Sequence, residues 1–125
     1  MYATGTVGFL ASRDLERSAK FFGDVLGLRV LEVTPYACVV ESPGSTIRIA
    51  ATADWEPQAF TVLGWTVGDI EGEVDRLARR GVAVNRYPGM GQDERGLWTA
   101  PTGQRVAWFH DPDGNTLSMT EDPGV

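Results

Sequence analysis

Short runs of alternating apolar and polar residues make up most of this chain, and two longer runs instead repeat apolar residues every three to four positions. Alternation at a period of two predicts β-strands, and the longer spacing predicts amphipathic helices. The alternating run VGFLAS leads directly into the first helical run, DLERSAKFFGDVLG. Asp14 is a good N-cap and Gly27 a good terminator, so these two residues bound the helix. Its predicted apolar stripe consists of Leu15, Ala19, Phe22 and Leu26.

The second half of the chain repeats this plan. The strand-like run VLGWTV precedes a helical run that Asp69 caps and Gly81 ends. Its predicted apolar stripe consists of Ile70, Val74, Leu77 and Ala78. The tripeptides that begin at Asp14 and Asp69 are therefore equivalent at an offset of 55 residues, which indicates an internal repeat.

Three strand-like runs follow each predicted helix. In the first half they are LRVLEVT, ACVVES and STIRIAAT, and in the second half VAVNRY, RVAWFH and NTLSMT. The turns Pro43-Gly44 and Asp111-Pro112-Asp113-Gly114 join the last two runs of each half. Each half thus predicts a β-α-β-β-β module, and the chain an α+β fold. We expect one domain, with module one at 1–53, a connector at 54–60 and module two at 61–125. In this domain, paired curved mixed sheets should surround a cavity, with the helices outside.

Composition narrows the classes of function. The 125 residues carry a net charge of −6 without a basic run, so we expect no nucleic-acid partner. Cys38 is the single cysteine, which excludes an internal disulfide, fits a reducing compartment and favours a buried, unreactive thiol. The N-terminal run MYATGTVGFLASRD has no basic start and no long apolar stretch, so we expect neither a signal peptide nor a membrane span. These features together predict a soluble, cytoplasmic protein.

Two motifs on the repeated module carry a family resemblance. They are D-L-E-R-S-x-x-F-F-x-D-V-L-G-L from Asp14 to Leu28 and F-x-D-P-D-G-N-x-L from Phe109 to Leu117. In this order the chain resembles, over nearly its whole length, the vicinal oxygen chelate superfamily, which includes glyoxalase I, extradiol dioxygenases, fosfomycin-resistance transferases and bleomycin-binding proteins. The resemblance implies the paired-module fold and a homodimer, and a shared fold alone does not imply a shared function.

Enzymes of that superfamily usually hold a divalent metal on the first and last strands of each module. Carried over to this chain, the four ligand positions fall on Val7, Arg48, Val62 and Ser118. Valine offers no lone pair, and a neutral hydroxyl is a weak donor to a divalent ion. Arg48 would repel one unit charge about 4 Å away by about 4 kcal/mol, and a dication by twice that. We therefore predict no metal and no other cofactor.

Two other sets of residues could suggest a metal. His110 is the only histidine and directly precedes the hairpin turn, so a bond to the turn backbone is favoured over a role as ligand or general base. The spacing of Asp111 and Asp113 is compatible with a calcium loop, but the later ligands of such a loop are missing. We interpret both carboxylates as turn residues that accept backbone N–H bonds.

Strand parity predicts which side chains line the cavity. The candidates for binding a ligand are Val7, Phe9, Arg48, Val62, Gly64, Thr66, Trp98, Trp108, Ser118 and Thr120. Trp98 lies in the glycine-rich stretch 87–104, together with Met90 and Gln92. This stretch is either a lid over a ligand or an exposed loop with Trp98 packed on the sheet. Arg48 either contacts an anionic group of the ligand or forms an internal salt bridge, for example with Glu41.

The favoured function is a metal-independent protein that sequesters a planar or partly apolar small molecule in the inter-module cavity, similar to the drug-binding branch of the superfamily. No catalytic group is identified, so an enzyme is the less favoured class. The alternative is a metal-free lyase, isomerase or hydrolase for a small carbonyl-containing or anionic substrate, with Arg48 as a clamp and Tyr87, Ser118 or His110 in proton transfer. A third reading is an interaction module whose cavity its own side chains fill.

Overall fold

The computed structural model describes residues 1–124, so that Val125, the last residue of the predicted second module, lies outside the described residues. The first repeat contains β1 (Thr6–Ser12), α1 (Leu15–Lys20), a π-helical turn (Phe21–Val25), β2 (Arg29–Val33), β3 (Ala37–Ser42) and β4 (Ser45–Ala51). The second repeat contains β5 (Thr61–Thr66), α2 (Ile70–Arg79), β6 (Trp98–Thr99), β7 (Arg105–His110) and β8 (Thr116–Glu121). The predicted β-α-β-β-β order is thus confirmed twice.

The chain separates into two compact units. The first unit comprises Met1–Pro57 together with the turn Asp111–Gly114. The second unit comprises Gln58–His110 and the segment that starts at Asn115. The predicted connector therefore divides after Pro57, and the turn between β7 and β8 belongs to the first unit.

Each unit contains one four-stranded mixed sheet. The strand orders are β1-β4-β3-β2 and β5-β8-β7-β6. The first strand of each unit pairs in parallel with the last, and the other pairs are antiparallel. This identical topology confirms the internal repeat and the α+β class. No described helix is both long and apolar enough to cross a membrane.

The core of the first unit lies under α1. Phe22, Cys38, Val40, Ile47 and Ile49 are almost fully buried there, as alternation along β3 and β4 predicts. Burial raises the pKa of the Cys38 thiol, which keeps it protonated and agrees with an unreactive interior cysteine.

The first helix begins at the predicted cap, where the Asp14 carboxylate accepts a hydrogen bond from the Arg17 N–H group at 3.1 Å. Its predicted stripe is only partly correct, because Ser18 and Phe21 are buried whereas Leu15, Ala19 and Leu26 are half-buried. The π-helical turn at Phe21–Val25 accounts for Leu26 alone, since an i to i+5 hydrogen bond changes the angular spacing of the residues that follow it.

The second helix packs on its sheet through Ile70, Val74 and Leu77, all buried as predicted. Ala78 was placed on the same stripe wrongly, because it is exposed near the end of the helix. Asp69 is the cap, and its carboxylate accepts a hydrogen bond from the Gly72 N–H group at 3.1 Å. Gly81 follows the helix with a φ of 83°, a left-handed conformation that glycine adopts without steric cost.

The prediction of a strand at VAVNRY is wrong. Residues 82–87 form no regular strand, and the edge strand β6 is instead Trp98–Thr99. Two short segments share this edge of the sheet: the Asn85 N–H group donates to the Trp108 carbonyl at 2.7 Å, and β6 pairs with Val106 and Arg105. The residues between these two segments form a separate loop.

Candidate ligand-binding site

The face of the first sheet opposite α1 carries an unpaired cation. Arg48 lies between Phe9 on β1 and Val39 on β3 in the strand register. Arg48 makes no hydrogen bond or ion pair with any residue from 1 to 124, so the internal salt bridge to Glu41 offered as one alternative is not formed. Phe9 beside it is 67% exposed. This face therefore combines exposed apolar side chains with an Arg48 guanidinium that has no partner among residues 1–124.

The face of the second sheet opposite α2 is centred on Ser118. In the register, Ser118 on β8 has Gly64 on β5 at one side and Trp108 on β7 at the other. Thr66 and Thr120 form the next row of the same face. The predicted parity of these strands is thus correct, because the alternate residues Ala107, Phe109, Leu117 and Met119 are buried in the core.

The residues at the four implied metal-ligand positions do not fit a divalent metal. Val7 and Arg48 of the first unit supply a hydrocarbon and a cation, and Val62 of the second unit supplies a second hydrocarbon. Only the neutral hydroxyl of Ser118 could donate a lone pair. Within residues 1–124, no three His, Cys, Asp or Glu side chains lie close enough together to hold an ion. Val62 also lies at a register shift of β5, and the residue is 37% exposed.

The residues that suggested other metals have structural partners instead. The Asp111 carboxylate accepts a hydrogen bond from the Asp113 N–H group at 3.0 Å, which confirms the turn interpretation. His110, expected to bond to the turn backbone, has its Nε2 atom 3.3 Å from the side-chain nitrogen of Asn85. The expected partner of His110 was therefore wrong.

A pocket of about 340 Å³ lies entirely within the second unit. Its wall is aromatic and apolar with two threonine hydroxyls, and it contains no charged side chain. The lining residues are Ala59, Phe60, Thr61, Tyr87, Met90, Trp108 and Thr116. Trp108 is the one residue of the predicted ligand-binding set that lines this pocket, and Met90 and Tyr87 had been singled out for other roles. Phe60 was not predicted because it falls in the predicted connector 54–60, although an apolar residue directly before a strand could have indicated it.

Trp108 is held in place by two other aromatic side chains. The Tyr87 ring meets it edge-on, with ring centres 5.7 Å apart and planes at 86°. Trp98 packs against it with centres 5.9 Å apart. Since β6 pairs Trp98 with Val106, Trp98 is packed on the sheet and supports Trp108, which is the second of the two alternatives for the glycine-rich stretch.

The loop that carries Tyr87 and Met90 is braced by the Gln92 side chain. The Gln92 amide oxygen accepts a hydrogen bond from the Tyr87 N–H group at 2.7 Å. Its amide nitrogen donates to the carbonyls of Asn85 and Gly96, both at 2.8 Å. All of these bonds are internal to the loop, so Gln92 positions Tyr87 rather than presenting its amide to a ligand.

Charged residues fix the far side of the same loop. The Arg86 guanidinium donates to the Asp93 carbonyl at 2.5 Å and also to the Glu94 carbonyl. The Asp93 carboxylate accepts hydrogen bonds from the N–H groups of Arg95 and Leu97, each at 2.9 Å. The loop is therefore internally bonded along its length, which favours a preformed pocket wall.

A polar group borders the aromatic wall. The Asn85 side-chain nitrogen lies 3.1 Å from the Tyr87 hydroxyl oxygen and 3.3 Å from His110 Nε2. The backbone bond of Asn85 to β7 places this amide beside the strand that carries Trp108 and His110. Asn85 was not identified from the sequence, because it lies in the run that was mistaken for a regular strand.

Solved structures with the same fold are known. The chain is 23% identical to a member of the glyoxalase/bleomycin resistance protein/dioxygenase superfamily from Sphaerobacter thermophilus, covering 97% of this chain and 98% of that one with a TM-score of 0.76. It is 15% identical to a glyoxalase/bleomycin resistance protein/dioxygenase from Alicyclobacillus acidocaldarius, covering 96% and 92% with a TM-score of 0.75. It is 16% identical to a lactoylglutathione lyase from Agrobacterium tumefaciens, covering 97% and 95% with a TM-score of 0.73.

Identities this low establish the fold and leave the activity open. No curated protein matches the sequence. The family model of the Glyoxalase/Bleomycin resistance protein/Dioxygenase superfamily, however, matches residues 5–119, which include both repeats and the Ser118 position. The chain therefore belongs to the Glyoxalase/Bleomycin resistance protein/Dioxygenase superfamily.

Proposed function

We propose that this chain is a metal-independent small-molecule-binding protein that holds a planar, partly apolar ligand against Trp108. The observation that carries the proposal is the uncharged aromatic pocket of the second unit, about 340 Å³ in volume. Ligand pockets of this kind are mostly apolar and occupy about 300–1,000 Å³. Stacking on an aromatic ring contributes about 0.5–1.5 kcal/mol beyond the burial of apolar area.

Metal independence is supported by the chemistry of the four implied ligand positions. A site with two valines and an arginine offers a dication no compensation for its lost hydration. Binding through apolar area and ring contacts requires no Lewis acid, which suits the residues that this chain has.

A homodimer is part of the same proposal. Val7 and Phe9, on the face of the first sheet opposite α1, are 51% and 67% exposed, and neighbouring exposed apolar side chains are typical of interfaces. A second copy of the chain would cover them. Sedimentation equilibrium should then give a dimer mass for the wild type and a shift toward monomer for Phe9→Glu. A monomeric wild type would contradict this part of the proposal.

The cytoplasmic location expected from the sequence also stays a prediction.

Binding is tested by titrating the protein with a panel of planar aromatic compounds and following tryptophan fluorescence. We expect saturable quenching, and a loss of at least about tenfold in affinity for Trp108→Leu, corresponding to about 1.4 kcal/mol. Trp55→Phe is the matched control, because Trp55 lies in the first unit, where the Arg13 guanidinium stacks 4.8 Å from its ring centre. Unchanged affinity in Trp108→Leu would refute the proposed site.

One observation favours the alternative function, a metal-free lyase, isomerase or hydrolase. Tyr87 and His110 both contact the Asn85 amide, so two groups able to transfer protons lie at one edge of the pocket. Mass spectrometry of bound carbonyl compounds after incubation would reveal turnover. Turnover that is lost in Tyr87→Phe while binding is retained would establish the enzyme.

A further inference from the structure

The bond between Asn85 and Tyr87 fixes the direction in which the phenolic hydroxyl can donate. An amide nitrogen only donates hydrogen bonds, so the Tyr87 oxygen, 3.1 Å away, is the acceptor. The second hydrogen of the same amide can be donated to His110 Nε2, 3.3 Å away, when that nitrogen carries no proton. One lone pair of the Tyr87 oxygen is thus used by Asn85, and its own hydrogen must point elsewhere.

That hydrogen has no acceptor in the protein. Among residues 1–124, no group accepts a hydrogen bond from the Tyr87 hydroxyl, although Tyr87 is half-buried and lines the pocket. The neighbouring lining residues Phe60, Met90 and Trp108 have no side-chain oxygen. The hydroxyls of Thr61 and Thr116 also line the pocket, but neither accepts a hydrogen bond from Tyr87, and the Thr116 hydroxyl donates to the Gln58 carbonyl at 3.3 Å. A ligand in the pocket would displace the water that otherwise accepts this hydrogen, so the ligand itself must supply an acceptor.

The geometry points to Tyr87 as the residue that selects the ligand by a hydrogen-bond acceptor, and to planar aromatic carbonyl compounds as the ligand class. This inference rests on the proposed function. The ring of such a compound would lie on Trp108, and its carbonyl oxygen would accept from the Tyr87 hydroxyl. A hydrocarbon of the same shape would leave the hydroxyl buried without a partner, which should weaken binding by about tenfold.

Asn85 acts through Tyr87 and is a positioning residue. Replacing it by aspartate keeps the shape of the side chain but converts its donor atom into an acceptor. The Tyr87 hydroxyl would then donate to the carboxylate and turn a lone pair toward the pocket. The preference of the site should therefore reverse, from ligands that accept a hydrogen bond to ligands that donate one. A purely structural role for Asn85 would weaken all ligands equally.

Three probes of nearly identical shape test this directly: fluorenone, fluorene and carbazole, which place a C=O, a CH₂ and an N–H group at the same point of a three-ring system. Affinities are measured by equilibrium dialysis, at the same pH for every probe and variant. For the wild type we expect fluorenone to bind about tenfold more tightly than the other two. In Tyr87→Phe all three should bind alike, and in Asn85→Asp carbazole should bind more tightly than fluorenone.

The outcomes separate the two proposals. Equal binding of all three probes by the wild type, with affinity lost in Trp108→Leu, would overturn the role of Tyr87 and leave the binding function standing. A fluorenone preference that persists in Tyr87→Phe would do the same. No saturable binding of any probe would overturn both. Circular dichroism checks that each variant is folded, and Tyr87→Phe alone decides the matter should Asn85→Asp not fold.

Discussion

Ser118 and Gly64 occupy neighbouring positions on two parallel strands, and a Cβ atom at Gly64 would stand 2.4 Å from the Ser118 hydroxyl oxygen. That distance is far below van der Waals contact, so the absence of a side chain at Gly64 is what allows Ser118 its present conformation. Ser118 is also a buried residue, with only 8% of its surface exposed. The two residues pack against each other on the face of the second sheet opposite α2.

Gly64→Ala should therefore destabilise the protein by about 1–3 kcal/mol, because the new methyl group overlaps the Ser118 hydroxyl. The double variant Gly64→Ala/Ser118→Ala should recover most of the loss, since the clashing oxygen is removed. Urea denaturation of the two single variants and the double variant gives the coupling energy. Gly68→Ala is the control, because a Cβ atom there meets nothing within 4 Å. Additive effects at Gly64 and Ser118 would contradict this packing relationship.

Asp113 holds the turn between β7 and β8 to the first unit. Its side chain is fully buried and accepts hydrogen bonds from the Arg13 N–H group at 2.9 Å and from the Arg17 guanidinium at 2.7 Å. Asp113→Ala leaves both donors without their partner and should cost about 2–4 kcal/mol, less than for a fully buried pair because Arg17 is partly exposed. Thermal denaturation measures the loss.

Two further variants make that result specific. Asp113→Asn keeps an acceptor for the Arg13 N–H group but removes the charge, so its loss should be smaller than that of Asp113→Ala. Asp54→Ala, at an exposed carboxylate of the predicted connector, should change stability by less than about 0.5 kcal/mol. Equal losses for Asp113→Ala and Asp54→Ala would show that the buried contacts are not stabilising.

Glu121 makes stability depend on pH. The Ile70 N–H group donates to its carboxylate at 2.8 Å and Arg105 pairs with it at 2.7 Å. These contacts, the backbone hydrogen bond first, hold the pKa of Glu121 below its ordinary value of 4.5. A lowered folded-state pKa means that the stabilisation is complete above 4.5 and is lost as the pH falls through the folded-state pKa.

The difference in melting temperature between about pH 7 and about pH 3 should consequently be smaller in Glu121→Gln than in the wild type. Glutamine still accepts from the Ile70 N–H group but cannot titrate. Glu56→Gln serves as control, since Glu56 is exposed and makes no hydrogen bond or ion pair within residues 1–124. An unchanged pH dependence in Glu121→Gln would refute the role of this carboxylate.

Metal content is the direct check on the ligand positions. We expect elemental analysis of protein purified without chelators to show no stoichiometric transition metal, because Arg48 and two valines replace donors there. Added Zn²⁺ or Mn²⁺ should also leave the melting temperature unchanged, since a ligand that binds only the folded state would raise it. One metal ion per chain would demonstrate a ligand set elsewhere in the protein.

The architecture was predictable because it depends on patterns that a sequence displays locally. Asp14 and Asp69 cap helices at the same place in each repeat, and alternation assigned the faces of β7 and β8 correctly around Trp108 and Ser118. The position of the pocket was harder to predict from the sequence. Its wall combines Phe60 from the segment before β5 with Tyr87 and Met90 from an irregular loop, and no periodicity reports where such a loop folds back.

The loop itself shows why. Its conformation depends on Gln92, whose side chain makes three hydrogen bonds to backbone groups within the loop. Nothing in the sequence indicates that a glutamine in a glycine-rich segment holds the loop together. The same residue is equally compatible with a contact to a ligand. Likewise, the run VAVNRY contains residues that favour a strand, but a strand forms only where it pairs with a neighbour. In this run the Asn85 N–H group makes a single bond to β7.

Gln92→Ala tests whether this brace prepares the pocket. Loss of the bond to the Tyr87 N–H group should loosen the loop and lower the affinity for a planar aromatic ligand by about tenfold, with little change in the core and a melting temperature close to that of the wild type. Amide hydrogen exchange should become faster within residues 85–97 and stay unchanged in β7 and β8. Gln104→Ala, outside the pocket lining, is the matched control. Unchanged affinity with faster exchange in the loop would mean that the ligand itself orders Tyr87, and that the pocket wall is not preformed.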